Sequence, residues 1–280
     1  MKLAGHTMGT PDLGLRGSIE LFASIGFDGI EIRCAPDGQI DPESTVPADL
    51  DDARATLERT GLSVVCLTPY NRDFVTEARS AELAALRRVV DLATALECRL
   101  VRLYGGTDPV PEGVSTNEAW DLTVSGIREL ADYAAAGNVG FCVETHIGSL
   151  TFHAADAVRM VRDVDRDNVG ILLDFAWVHL AGRETATQAI DACAPYLVHC
   201  HYKDWLIESA GANPAWHARL MGEGTIPWRE FFGELVRRGY DGSMSDEYEY
   251  YWHPEALPPA RIGMQHNLEY VRRCLRGDIP

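Results

Sequence analysis

Eight short apolar runs, rich in β-branched residues, recur along the chain, and patterns typical of helices separate them. Strands that alternate with helices in this way favour βα units and a parallel sheet. The eight predicted strands span residues 2–7, 29–33, 62–68, 98–104, 139–146, 169–175, 196–202 and 242–248.

Helical periodicity fills the intervals between these runs. Gly26, Gly61 and Gly239 are placed as helix stops, and Pro227 suits a first helical turn. Because no linker or change of composition interrupts the eight units, we predict one α/β domain, a (β/α)8 TIM barrel of residues 1–280. A doubly wound open sheet is the alternative, and it would lack pairing between the first and eighth strands. The predicted helices span residues 18–26, 49–61, 77–97, 117–137, 154–164, 186–195, 227–239 and 260–275.

The charge balance limits the classes of partner. The 280 residues include 42 acidic and 25 basic side chains, giving a formal net charge of −17. A chain with this charge repels nucleic-acid phosphates and anionic membrane surfaces, so we expect neither as a partner. Seven cysteines without a CxxC pair indicate reduced thiols and a cytoplasmic protein, and no apolar run is long enough for a transmembrane helix.

Polar residues collect at one end of the predicted strands. In a TIM barrel the active site lies at the carboxyl ends of the strands, so this asymmetry indicates an enzyme. The opposite ends are mostly Gly, Asp and Asn turn residues. The polar residues that close the eight runs in order are His6; Glu31 and Arg33; Thr68 and Tyr70; Arg102 and Tyr104; Glu144 and His146; Asp174; His199, His201 and Lys203; and Asp246, Glu247 and Glu249.

Four of these residues form a candidate set of metal ligands: Glu144, Asp174, His201 and Glu247. Three carboxylates and one imidazole suit a divalent ion and leave positions for substrate oxygens. Structural roles remain open for two of them. Asp174 could cap the helix that follows it, and Glu144 could pair with Arg102.

Six segments, taken in order along the chain, resemble the sugar-phosphate isomerase/epimerase family, which shares the xylose isomerase-like barrel with ketose 3-epimerases and inosose dehydratases. The resemblance covers essentially the whole chain. It implies that Glu144, Asp174, His201 and Glu247 bind one divalent ion, with Mn²⁺ foremost and Mg²⁺, Co²⁺ or Zn²⁺ as alternatives. The segments are GFDGIEIR, VETHIG, LLDFAWVHLAG, VHCHYKDW, GEGTIPW and GYDGSMSDEYE.

The segment VHCHYKDW contains two histidines, of which the resemblance selects one. The histidine directly before x-K-D matches the family ligand, so His201 is the expected ligand. We expect His199 on the opposite face of the strand, as an outer-face or core histidine. Lys203 also stands out, because it is one of only two lysines among the 25 basic residues.

The sequence departs from the epimerase pattern at positions that contact the substrate in several epimerases. Several epimerases carry a histidine three residues after the sixth-strand aspartate, where this chain has Trp177, with His179 nearby. A substrate arginine six residues after the metal histidine is replaced by Ile207, for which Arg219 is a candidate substitute. No GxxxxGK(S/T) phosphate loop occurs. The expected substrate-binding residues are therefore His6, Arg102, His146, Trp177, His179, Lys203 and Arg219.

Such a site favours proton transfer at a carbon next to a carbonyl. The ion would stabilise the enediolate as charge develops, and Glu144 and Glu247 are the expected catalytic bases, each serving one face of a sugar or keto-sugar. The predicted activity is therefore that of an isomerase or epimerase. As an alternative, a dehydratase of a ketosugar or inosose would expel a β-hydroxyl, with His146 or Lys203 as general acid.

Two other functions, a nuclease and a non-catalytic barrel, fit the sequence less well. The superfamily includes nucleases that act on abasic DNA, but those need a basic groove and more metal ligands than the one set found here. A barrel retained only as an assembly subunit would be suggested by loss of a ligand, and all four are present. We also expect that the chain can form homo-oligomers, with the aromatic segment 248–252 and Trp216 at an interface or at the mouth of the site.

Overall fold

A computed structural model describes residues 1–211 and 214–278 of the chain. Eight parallel strands close into a barrel, and an antiparallel pair of strands, β8 and β9, lies outside it. The predicted domain of residues 1–280 includes 212–213 and 279–280, which lie outside the described residues. The strands are β1 (Lys2–His6), β2 (Gly29–Cys34), β3 (Ser63–Pro69), β4 (Leu100–Tyr104), β5 (Gly140–Glu144), β6 (Val169–Asp174), β7 (Leu197–Tyr202), β8 (Asp204–Ser209), β9 (Ala215–Arg219) and β10 (Ser243–Asp246).

Helices follow the barrel strands and cover their outer face. Local signals fix their ends: Gly26 and Gly61 adopt left-handed backbone after α1 and α2, and the Ser115 hydroxyl accepts from the backbone N–H of Glu118 at the start of α4. The helices are α1 (Leu15–Ile25), α2 (Asp51–Thr60), α3 (Arg79–Ala95), α4 (Thr116–Ala134), α5 (Ala154–Val164), α6 (Phe175–Ala181), α7 (Ala186–Cys193), α8 (Trp228–Arg237) and α9 (Ala260–Arg276), with short 3₁₀ turns at Thr7–Gly9, Pro47–Leu50, Ala135–Gly137 and Glu249–Tyr251.

The barrel closes between its first and last strands. β1 pairs in parallel with β10, with Lys2 opposite Ser243 and Gly5 opposite Asp246. The (β/α)8 prediction is therefore confirmed, and the open-sheet alternative is wrong. Three elements were not predicted, namely α6 and the two strands of the hairpin β8–β9, which is inserted between β7 and α8.

The barrel wall separates two apolar regions. The larger one lies between the strands and the helices, while a small cluster of Cys66, Cys142 and Leu172 lies apart from it. Each of these three residues stands two positions before a polar residue at the end of its strand: Thr68, Glu144 and Asp174. Because residues two apart on a strand share a face, the cluster lies inside the barrel as an apolar layer beneath a polar one.

The outer core should carry most of the stability. Phe22 on α1 is fully buried and packs edge-on against Phe27 with 5.6 Å between ring centroids. We expect Phe22→Ala to lower the free energy of unfolding by about 3–5 kcal/mol, because it removes a buried ring and leaves a cavity. The control Ile262→Ala changes a helix residue that is 62 % exposed and should stay within about 0.5 kcal/mol of the parent. Urea unfolding followed by circular dichroism measures both, and equal losses would contradict this assignment of the core.

Candidate metal centre and active site

The four predicted metal ligands meet at the carboxyl end of the barrel. Glu144 ends β5, Asp174 ends β6, His201 lies on β7 and Glu247 follows β10 directly. Strand register brings them level, since His201 is opposite Asp174 on one side and Ser245 on the other. One ligand atom from each of the four lies within 4.8 Å of the others, and all four side chains are almost completely buried.

His201 Nδ1 faces the carboxylates. It lies 3.2 Å from Glu144 Oε1, 3.4 Å from Glu247 Oε2 and 3.9 Å from Asp174 Oδ2. Two of these buried atoms, His201 Nδ1 and Glu144 Oε1, have no hydrogen-bond partner among the described residues. Buried polar atoms without a partner are costly, so their convergence on one point indicates a missing ligand. Three carboxylate oxygens and one imidazole nitrogen are a donor set that fits a divalent cation.

Two of the carboxylates combine this position with a structural role. Asp174 caps helix α6 through Oδ1, which accepts from the backbone N–H groups of Ala176 (3.1 Å) and Trp177 (3.4 Å), and its Oδ2 faces the centre. Glu144 accepts from Arg102 Nη1 at 2.9 Å through Oε2, while its Oε1 faces His201. Both structural alternatives are therefore present, and each uses only one of the two carboxylate oxygens.

The candidate metal centre lacks the positive charge that would balance its three carboxylates. Burial raises the pKa of Asp174 to about 8 despite the neighbouring Lys203, and Glu247 and Glu144 add to the rise. At Glu144 burial acts in the same direction, but Arg102 and His201 outweigh it and lower the pKa to about 2. At His201 burial is outweighed by Glu31 and Glu247, which hold its pKa above the usual range. A divalent cation would supply the charge that these groups lack.

Lys203 is the cation present among the carboxylates. Its buried ammonium donates to Asp174 Oδ2 at 2.6 Å and to Glu247 Oε2, and it lies 3.8 Å from Glu249 Oε1. Burial acts to lower the pKa of Lys203, but Asp174 and Glu247 outweigh burial and hold it well above the usual range. The ammonium therefore stays charged and neutralises part of the cluster.

Comparison with known proteins places this chain in a family. The family sequence model described as "Xylose isomerase-like TIM barrel" matches residues 19–274. The chain belongs to this family. It is 26 % identical over 234 residues to a D-psicose 3-epimerase of Ruminiclostridium cellulolyticum, covering 81 % of this chain and 75 % of that protein. It is 26 % identical over 140 residues to an inosose dehydratase of Geobacillus thermodenitrificans, covering 46 % and 47 %.

Solved structures show the same fold. A xylose isomerase-like TIM barrel protein from Mycobacterium smegmatis, crystallised in complex with magnesium, superposes with a TM-score of 0.76 at 18 % identity, covering 100 % of this chain and 98 % of that one. These comparisons confirm the family resemblance and the barrel. Within the described part of the chain, no helix combines the length and the apolar character needed to cross a membrane.

A cavity of about 270 Å³ lies next to the carboxylates, with Glu247 in its wall. Its walls are mostly aromatic, and its polar groups include Glu247, Lys203 and His146. A concave site with few polar groups is typical of a small-molecule site. The cavity is lined by Met8, Tyr70, Tyr104, His146, Trp177, Lys203, Trp216, Glu247, Glu249, Trp252 and His253.

His146 and Trp177, two predicted substrate-binding residues, lie side by side in this cavity, with 4.7 Å between ring centroids. His146 Nδ1 lies 2.5 Å from the carbonyl oxygen of Ile147, which can only accept, so the ring donates from Nδ1. In a neutral imidazole this leaves Nε2 as an acceptor. Burial lowers the pKa of His146 to about 4, so this ring does not carry the proton that the dehydratase alternative asks of it.

Four other predicted substrate-binding residues do not line this cavity. The Arg102 guanidinium donates to Glu144. His6 is fully buried, and its Nδ1 accepts from the backbone N–H of Met8 at 3.0 Å. Arg219 lies beside the cavity, in a narrow cleft shared with Lys203 and Glu247. His179 packs on Phe175 in the helical layer, with 5.7 Å between ring centroids, and it is not among the residues that line this cavity. The helix α6 turns this residue away from the site.

His199 is a buried core histidine, one of the two roles expected for it, but the prediction that it faces away from His201 is wrong. Residues two apart on a strand point to the same side, so His199 and His201 both face the barrel interior. Their Nε2 atoms contact the two oxygens of Glu31, at 2.8 Å and 3.0 Å respectively. Glu31 itself was assigned no role from the sequence. Its position at the carboxyl end of the second strand was the signal that could have found it.

The aspartate of the KD pair has a structural task. Asp204 Oδ2 accepts from the backbone N–H groups of Gly222 (2.8 Å) and Gly224 (3.0 Å), and its Oδ1 accepts from that of Trp205. A Cβ at position 224 would lie 2.1 Å from Asp204 Oδ1, so the close approach requires glycine. This bond network joins the segments KDW and GEG, and it positions the hairpin β8–β9, which carries Trp216 to the cavity.

Removal of Lys203 tests the electrostatics of the centre. We expect Lys203→Met to lower the free energy of unfolding of the metal-free protein by about 3–5 kcal/mol, because it leaves two buried carboxylates without their cation. Adding Mn²⁺ should restore more stability to this variant than to the parent, since the ion replaces the lost charge. Thermal and urea unfolding with and without the ion measure both effects.

The other lysine provides the control. Lys2 is exposed and donates only to Ser63 Oγ at 3.1 Å, so Lys2→Met should be near neutral, within about 0.5 kcal/mol. If the two lysine variants lose the same stability, or if Mn²⁺ stabilises neither the parent nor Lys203→Met, this account of the centre is wrong.

Proposed function

We propose that this protein is a divalent-metal-dependent isomerase or epimerase that acts on a sugar or keto-sugar by proton transfer next to a carbonyl. The observation that carries the proposal is the convergence of Glu144, Asp174, His201 and Glu247 on one buried point below a cavity of small-molecule size. The family membership and the similarity to a D-psicose 3-epimerase support the same class of reaction.

The proposed ligands are the four residues of that cluster. We propose Mn²⁺ as the ion, with Mg²⁺, Co²⁺ and Zn²⁺ as alternatives that the same donors accept, and the magnesium complex of the structural relative supports a divalent ion. When bound, the ion polarises a substrate carbonyl and stabilises the negative charge that develops on its oxygen.

The chain's own carboxylates move the proton. Glu144 ends β5 and Glu247 follows β10. These strands are separated by β6 and β7 around the eight-stranded ring, so the two carboxylates approach the centre from different sides. One carboxylate removes the proton from the carbon next to the carbonyl, and the other returns a proton to the opposite face. Lys203, which donates to Glu247, is the proton source beside the second carboxylate.

A dehydratase is the second candidate. It is favoured by the inosose dehydratase relative and by the position of Lys203 next to the cavity. In this reaction the same proton is removed first. The β-hydroxyl then leaves with its electron pair, takes a proton from Lys203 and departs as water, and the double bond forms between the two carbons.

Solvent deuterium distinguishes the two reactions. We would remove metal with a chelator, add back single divalent ions, and incubate the protein in D₂O with a panel of ketoses and inososes. Metal-dependent uptake of deuterium with no other change of mass is expected for the isomerase or epimerase. Loss of one water would instead establish the dehydratase, and absence of both metal binding and exchange would refute the proposal.

The two catalytic carboxylates have a matched test. Glu144→Gln and Glu247→Gln should each slow exchange by about 10²–10⁴-fold, because an amide cannot accept the proton. Metal content is measured in parallel, since both residues are also proposed ligands. Glu129→Gln alters an exposed glutamate that pairs with Arg87 and should leave exchange unchanged. Exchange at the parent rate in both site variants would exclude these residues as the bases.

We also propose a cytoplasmic location. All seven cysteines of the chain are free thiols, six of them buried, which is typical of a reducing compartment. Lysis of cells in a denaturant with a thiol-alkylating reagent should label all seven cysteines if the compartment is reducing, and disulfide-bonded cysteines would contradict the proposal.

A further inference from the structure

A second buried polar cluster lies inside the barrel, on the far side of His201 from the carboxylates. It consists of Glu31, Thr68, His199, Ser243 and Ser245, contributed by strands β2, β3, β7 and β10. Glu31, His199 and Ser245 are fully buried and Thr68 is 1 % exposed. The proposed reaction uses none of these side chains. A hydrogen bond links the cluster to the proposed metal ligands, between Glu31 Oε1 and His201 Nε2 at 3.0 Å.

Glu31 is held by hydrogen-bond donors, and no lysine or arginine among the described residues forms an ion pair with it. Its Oε1 accepts from Thr68 Oγ1 at 2.5 Å as well as from His201, and its Oε2 accepts from His199 Nε2 at 2.8 Å. Among the described residues, its ion-pair contacts within 4 Å are all histidines, including His6 at 3.9 Å. Oxygen atoms of a carboxylate accept hydrogen bonds, and each oxygen of Glu31 lies within hydrogen-bond distance of one imidazole Nε2, so each imidazole donates to it from that nitrogen.

This requirement fixes the chemistry of the other face of His201. A neutral imidazole that carries its proton on Nε2 presents a lone pair at Nδ1. Nδ1 is the atom that lies among Glu144, Glu247 and Asp174 and that has no hydrogen-bond partner among the described residues. The contact with Glu31 therefore turns the His201 lone pair toward the point where the carboxylate oxygens converge.

His199 holds Glu31 in place from the same strand as His201. Its Nδ1 lies 2.7 Å from Ser243 Oγ, which donates to it, and Ser245 Oγ lies 3.1 Å from its Nε2. The two histidines are two residues apart on β7, so their rings reach the two oxygens of one carboxylate. The rings are nearly perpendicular, with an interplanar angle of 82°. Rotation of Glu31 would break contacts with both rings and with Thr68.

We propose that Glu31 is a positioning residue for the metal centre: it fixes the orientation and the tautomer of His201, and His199 anchors it. The proposal rests on the proposed function for the ion at the four-residue cluster. A carboxylate that accepts from the non-coordinating nitrogen of a ligand histidine raises its basicity, and loss of such a partner typically weakens metal binding 10–100-fold.

A second ion among Glu31, His199 and His201 is the rival interpretation, because ligand atoms of these three also lie within 4.8 Å of one another. The contacts favour positioning. The Nε2 atoms of His199 and His201 are already paired with the oxygens of Glu31. Of these three residues, His201 alone has an unpartnered side-chain atom among the described residues, and that atom, Nδ1, faces Glu144 on the opposite side. His6 Nε2 is also unpartnered, but it lies 3.9 Å from Glu31 Oε1 and is not a member of this group.

The test is the metal dissociation constant of Glu31→Gln, measured by calorimetry with Mn²⁺ alone on the full chain. We expect Mn²⁺ to bind about 10–100-fold more weakly, because an amide presents one oxygen to two imidazole N–H groups. Turnover at saturating Mn²⁺ should fall much less than the affinity, since Glu31 does not line the cavity. Circular dichroism and urea unfolding establish that the variant folds.

Asp246→Asn is the matched control. It changes another fully buried carboxyl group, on β10, that accepts from Asn267 Nδ2 at 3.0 Å and makes no contact with His201. Its Mn²⁺ affinity should stay within about twofold of the parent. If Glu31→Gln does not fold, Thr68→Val removes one donor to the same carboxylate at nearly constant volume. It should weaken Mn²⁺ binding while Asp246→Asn does not.

The outcomes separate the two proposals. An active parent whose Mn²⁺ affinity is unchanged in Glu31→Gln, or in Thr68→Val where the first variant does not fold, overturns the positioning role and leaves the proposed function intact. A parent that binds Mn²⁺ but shows no exchange or dehydration overturns the function alone, because the comparison of affinities still holds. Two ions per chain in the parent and one in Glu31→Gln would establish the second metal site instead. A parent that binds no divalent ion overturns both proposals.

Discussion

Three carboxylates crowded into a closed barrel are the constraint on which the rest of the site depends. Two unit charges 4 Å apart repel by about 4 kcal/mol at the effective dielectric of a protein, so Glu144, Asp174 and Glu247 cannot stay ionised together without compensation. Arg102 holds the first, Lys203 holds the other two, and His201 faces all three.

Two of the three carboxylates contact the surrounding fold with one oxygen and turn the other toward the centre. Asp174 caps α6 through Oδ1, and Glu144 accepts from Arg102 through Oε2. A structural role and a ligand role are therefore not exclusive at these positions. Glu31 extends the same principle to the layer beneath, where both oxygens are used to orient histidines. The site is thus continuous with the interior polar layer, which in turn rests on the apolar layer of Cys66, Cys142 and Leu172.

The barrel strands and the four converging ligands were predictable because a parallel barrel places every strand end at one face. The hairpin β8–β9 was not, since its register depends on Asp204 holding two distant backbone N–H groups. The aromatic wall was predicted in part: Trp216 and the segment 248–252 were expected at an interface or at the mouth of the site, and Trp216 and Trp252 line the cavity. The facing of His199 was predicted wrongly, because residues two apart on a strand share a face. With that error, the contact of both histidines with Glu31 was missed. The position of His179 was not predicted, because the short helix α6 was not recognised.

Lys203 contacts both the carboxylates and the aromatic side chains of the site. Its ammonium lies 5.1 Å from the ring centroid of Trp177 and 5.3 Å from that of Trp205, while its protons go to Asp174 and Glu247. Aromatic faces attract a cation and exclude water, and a drier surrounding strengthens its attraction to the carboxylates. Trp177 therefore does more than fill the place of a polar residue. It holds the one buried lysine at the boundary between the carboxylates and the cavity, where a substrate oxygen that enters must exchange hydrogen bonds with it.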